Sequence, residues 1–150
     1  MIFSSFYAFL SSLGFGGLFN IRGKNLIIAA IGGGLSWFTY LLAGNLQPST
    51  VFSLFLASMV GSIYSEVMAR IQKTPVTIFI ICAIIPLVPG GGMYYTTLEA
   101  VKGNFDAALS KGVMTLFSAG AIAIGIVFVS SISTILKKLK KLKKLKKIKK

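Results

Sequence analysis

The stretch Pro86-Leu87-Val88-Pro89-Gly90-Gly91-Gly92 has the clearest chemical capability in this chain, and that capability needs no ionisable side chain. It lies near the middle of an apolar segment from about Pro75 to Leu98 that holds no charged residue. Proline removes an N–H and clashes with the preceding turn, and glycine costs backbone entropy, so a helix should break here. A helix that restarts near Met93 exposes the N–H groups of its first turn, and its dipole adds partial positive charge. Such an end binds a carboxylate or phosphate without a basic side chain, and glycine at 90–92 allows the backbone to approach it closely. Tyr94 and Tyr95 can supply hydroxyls, while Trp37 and Tyr40, a turn or so beyond Gly34, can line the same cavity. A small carboxylate-bearing solute is the natural guest. The plainer reading is a proline kink whose freed groups are met by neighbouring helices with no ligand. Each unmet backbone group in hydrocarbon costs several kcal/mol, so one reading or the other must hold.

Few other side chains offer chemistry. Glu66 and Arg70 stand four apart, either as an ordinary helix-end ion pair or as a gating contact to another helix. Glu99 and Asp106 fall in a connection between apolar segments. No carboxylate is expected at mid-depth, so a proton-coupled process would place its titrating group at Glu66 or on another chain. The chain has no His and one cysteine, Cys82, which excludes an internal disulfide and argues against a metal site. There is no nucleophile elbow, and Gly90-Gly91-Gly92 lacks the Lys-Ser/Thr that a phosphate loop requires. No catalytic residue, metal or cofactor is expected.

The elements that position these residues are membrane spans. The 150 residues are 55% hydrophobic and only 13% charged, against about 25% charged in a soluble domain. Mean hydropathy is +0.82. A spanning helix takes about 20 mostly apolar residues. Five segments qualify, at about residues 2–19, 26–46, 49–65, 75–98 and 112–136, the fourth of them broken. The sequence thus predicts an all-α integral membrane protein, with a spanning domain over residues 1–136 and a basic, low-complexity tail over 137–150. The first segment has no positive flank or A-x-A-like site and reads as a retained span rather than a signal peptide. Short connections make neighbouring spans antiparallel. One side then holds Arg22, Lys24, Arg70, Lys73 and the tail lysines, the other only Lys102 and Lys111. The positive-inside rule puts the N-terminus outside and the C-terminus in the cytoplasm.

Small residues mark where spans approach closely. Ala57, Gly61 and Ser65 form a ridge in the third segment, and Ala121 and Gly125 do so in the fifth. Gly32, Gly33 and Gly34 are either a packing notch or a second unwound stretch facing the first. The tail reads KKLKKLKKLKKIKK. Its apolar residues recur every three positions, which spreads them around a helix instead of along one face. Its charge adjoins an apolar segment, so the partner it points to is anionic lipid, not nucleic acid.

The sequence Ile85-Pro86-Leu87-Val88-Pro89-Gly90-Gly91-Gly92-Met93-Tyr94 resembles the hallmark of the threonine/serine exporter family, in its small-subunit form. That form corresponds to the C-terminal membrane module of the longer exporters. Gly14-Phe15 with Leu18-Phe19-Asn20, and Glu66-Val67-Met68-Ala69-Arg70 followed by Pro75, fit the same pattern, which covers roughly residues 6 to 135. The resemblance implies export of threonine, serine or a related dicarboxylate such as succinate from prokaryotic cells. It also implies a proton motive force as the drive, and a larger partner subunit. By position it makes Pro86, Pro89, Gly90, Gly91, Gly92 and Tyr94 site candidates, followed by Glu66 and Arg70. Five spans are few to enclose a gated path, so assembly with that larger subunit, with further copies of the chain, or both, is expected. A non-transporting scaffold subunit is the alternative, and an ion channel a third.

Overall fold

In the computed structural model, residues 1–46 and 49–148 are described, the side chains only as far as 139 and without that of Lys137. The link through Gln47 and Pro48 lies outside them, as do most side chains of the basic tail on which the lipid expectation rests. Every regular element is a helix: α1 (Ile2–Leu18), α2 (Lys24–Leu46), α3 (Thr50–Gln72), α4 (Val76–Ile84), a single 3-10 turn (Ile85–Leu87), α5 (Gly90–Val101) and α6 (Phe105–Ile148).

Local chemistry sets the helix ends. α1 closes on Asn20 at φ 59°, with the Ile21 amide reaching Gly16 O at 3.0 Å and the Asn20 amide reaching Gly17 O at 3.0 Å. This is a Schellman ending, which pairs carbonyls left over at the helix end. α5 ends the same way on Gly103 at φ 82°, with Asn104 N to Glu99 O at 2.9 Å. α3 starts on Ser49, whose hydroxyl accepts from Phe52 N, and ends at left-handed Lys73. It runs seven residues beyond the end expected from hydropathy, because polar Glu66 and Arg70 are accommodated within it.

α3 packs between α2 and α6, while α4 lies in the groove formed by α2 and α3 and touches α1. After the break the chain turns by 51°, and α5 packs on α6. Close approach depends on small residues. A Cβ on Gly33 would lie 2.7 Å from Ser12 Cβ and 2.9 Å from Cys82 O, so only glycine lets α1, α2 and α4 meet there. Ser12 Oγ seals that junction by donating to Cys82 O at 2.9 Å. α2 is continuous through Gly32, Gly33 and Gly34, so the second unwound stretch is not formed and the packing notch is. The expected ridges are contacts as well: Gly61 faces Ala83, and Gly125 faces the Phe55 carbonyl. Most buried serines turn inward on their own helix, as Ser36 does to Gly32 O and Ser65 to Gly61 O.

Among the described residues, α2, α3 and α6 are long and apolar enough to cross a bilayer, and the bent pair makes a fourth candidate. α1 is apolar but has 17 residues, so the expected five spans are reached only if it crosses too. Large apolar side chains, including Phe3, Leu18, Leu116 and Ile124, cover the outside of α1 and α6. That outside suits hydrocarbon or another helix. α6 continues without interruption through 44 residues into the basic segment, roughly 66 Å at 1.5 Å per residue.

Candidate functional site

The break is the feature around which the site is built. Pro86 and Pro89 have no N–H to give. Val88 N reaches Ile85 O at 3.3 Å and Gly90 N reaches Val88 O at 2.7 Å, and the first regular bond of α5 is Met93 N to Pro89 O at 3.1 Å. α5 has no side-chain cap. Gly91 and Gly92, in its first turn, therefore have no acceptor within their own helix.

Beside this turn is a cavity of about 630 Å³, within the 300–1,000 Å³ or so typical of small-molecule sites. Its walls are Trp37 and Tyr40 from α2, Thr50 and Leu54 from the start of α3, the break from Pro86 to Pro89 with Gly92 and Tyr95, and one face of α6. Trp37 and Tyr40 lie three apart on α2 and their rings sit 5.0 Å apart. Leu87, 2% exposed, anchors the break into a core formed with Leu54, Ala57 and Ile122. Gly92 is where α5 meets α6, since a Cβ there would crowd Thr115, with Cγ2 at 3.2 Å.

The structure brings six of the expected residues to this cavity: Trp37, Tyr40, Pro86, Pro89, Gly92 and Tyr95. Gly90 and Gly91 do not line it; a Cβ on either would meet nothing within 4 Å. Tyr94 does not line it either; it is 63% exposed and holds Tyr95 edge-on at 5.3 Å. Glu66 and Arg70 form a separate centre. Arg70 Nη2 lies 3.3 Å from Glu66 Oε2. Ser133 of α6 donates to the same carboxylate oxygen at 2.7 Å and accepts from Arg70 Nη2 at 2.7 Å. Glu66 is buried, so this is an interhelical contact and not a solvated helix-end pair.

Sequence reasoning missed the α6 wall: Ser110, Lys111, Met114, Thr115 and Ser118. By hydropathy Lys111 falls just before the fifth segment and counts only toward orientation. The signal was present, because Lys111, Thr115 and Ser118 recur at helical spacing and form one polar stripe on an apolar helix. Lys111 Nζ donates to Glu99 Oε1 at 2.8 Å and lies 5.6 Å from the Tyr95 ring centre.

Fold and site together define an α-helical membrane protein with a discontinuous helix beside a solute-sized cavity, an arrangement used by secondary transporters. Residues 4–132 match the family model described as Threonine/Serine exporter, ThrE, and the chain belongs to that family. It is similar to an uncharacterised protein of Haemophilus influenzae, 27% identical over 135 residues, which cover 84% of this chain and 45% of that protein. The chain thus spans about half the length of the curated relative it matches. No solved structure matches it.

Proposed function

We propose that this chain is the membrane subunit of a secondary transporter that exports threonine and serine, or a related dicarboxylate such as succinate, across a prokaryotic inner membrane. The proton motive force drives it, and the chain works with a larger exporter subunit, with copies of itself, or both. The observation that carries this reading is the cavity between the α4–α5 break and the polar face of α6. It presents a lysine, hydroxyls and aromatic rings to a solute, next to helix amides that lack partners in their own helix. Family membership supports the substrate class. Charge counting supports a cavity toward the outer face, with N-terminus outside and C-terminus cytoplasmic. The tail then lies at the anionic inner leaflet, where each lysine contributes on the order of 1 kcal/mol.

The test is L-serine and succinate flux in proteoliposomes containing the chain with and without its larger partner. Flux that requires the chain and is lost in Gly92→Leu, while Gly91→Ala retains it, is the expected result. Flux indifferent to both substitutions would make the chain a scaffold whose bent helix only seats a partner.

A further inference from the structure

Lys111 differs from every other residue around the cavity. Among the described residues it is the only charged side chain in the lining. Its Nζ makes one hydrogen bond, to Glu99 Oε1 at 2.8 Å, although an ammonium carries three donors. Its side chain is 42% exposed, whereas that of Glu99 is 17% exposed. Glu99 is held at both oxygens, since Asn104 Nδ2 donates to Oε2 at 3.2 Å. Asn104 is placed for this by the left-handed Gly103, which turns the chain from α5 into α6.

We infer that Lys111 is the carboxylate receptor of the transported solute and that Glu99 is its resident counter-ion, exchanged for the solute carboxylate on binding. This rests on the transport reading above. With the cavity empty, Glu99 keeps the ammonium paired. An arriving carboxylate replaces like with like, so the net charge of the Lys111 site is preserved. Glu99 then keeps its hydrogen bond from Asn104 and gives up its ion pair, a cost that the solute's bond to Lys111 must outweigh. The pair also joins the C-terminal end of α5 to the first turns of α6, so the exchange releases the tie between the two helices that flank the cavity. Solute occupancy thereby loosens the outer wall.

The two ends of this pair must respond in opposite directions. In proteoliposomes of the full chain with its larger partner, Lys111→Gln should raise the KM for L-serine by about tenfold or more, as expected for a lost charge-assisted hydrogen bond. Glu99→Gln should lower that KM severalfold and slow turnover, because nothing competes the solute off. Lys111→Arg should recover part of the loss, and the double variant should resemble Lys111→Gln. A purely structural tie predicts that both single variants shift KM the same way, and that outcome overturns the inference while leaving the transport reading intact. Absence of L-serine flux in the unsubstituted protein would overturn both.

Discussion

Gly91 and Gly92 are adjacent on α5 but have opposite surroundings. A side chain at Gly91 enters open space, while one at Gly92 meets Thr115. Gly91→Ala should therefore be silent in flux and insertion, and Gly92→Leu should abolish flux by prising α5 from α6. At the other polar centre, Ser133→Ala removes the hydroxyl between Arg70 and the buried Glu66 carboxylate. Arg70 is about half exposed, so solvent offsets part of the loss, and the cost should be about 1–2 kcal/mol. A thermal unfolding scan in detergent reads this as a lowered Tm; an unchanged Tm would show that the network adds nothing. Residue chemistry was legible in the sequence where it lies within one segment, as with the prolines, the glycines and the Glu66–Arg70 spacing. Ser133 was not legible, because nothing local marks one serine of α6 as facing α3, 67 residues away.

The bent α4–α5 pair is the element on which the cavity depends, and its bend has a backbone cause. Two prolines withhold amides where a helix would need them, and glycines offer no packing to hold the chain straight. Replacing both, Pro86→Ala with Pro89→Ala, should straighten the pair. Spin labels at Thr77 and Ala100 would then move apart by roughly 3–4 Å, given two arms rising 1.5 Å per residue and a lost bend. An unchanged distance would place the origin of the bend in the packing of α5 on α6. The break could be read from sequence because proline and glycine act locally. The glycines of α2 carry the same local signal and yet sit in an unbroken helix, where Tyr64 packs on Gly32, Ser12 and Cys82 on Gly33, and Phe9 on Gly34. Which outcome applies is decided by the neighbours, and a single sequence does not state them. The same holds for α6, where the polar stripe was visible but its partner across the cavity was not.

At the scale of the molecule, the outer faces of α1 and α6 are apolar and suit hydrocarbon or another helix, while the cavity is walled by four helices and a break. The orientation of the chain is open to a direct test. With the native thiol removed by Cys82→Ser, single cysteines at Lys24 and Lys102 should be labelled from opposite faces of the membrane, and labelling from one face would overturn the topology. The basic end of α6 should bind vesicles containing phosphatidylserine and release them as salt is raised, and truncation after Leu136 should remove that binding; salt-insensitive binding would assign it to the apolar face instead. The central claim, that solute occupies the cavity beside the break, is tested most directly by protection at Thr115, which lines the cavity opposite Gly92. In membranes that export L-serine, Thr115→Cys on the Cys82→Ser background is exposed to a small maleimide with and without saturating L-serine. Alkylation slowed severalfold by L-serine is the predicted result; a rate that L-serine leaves unchanged would contradict the account.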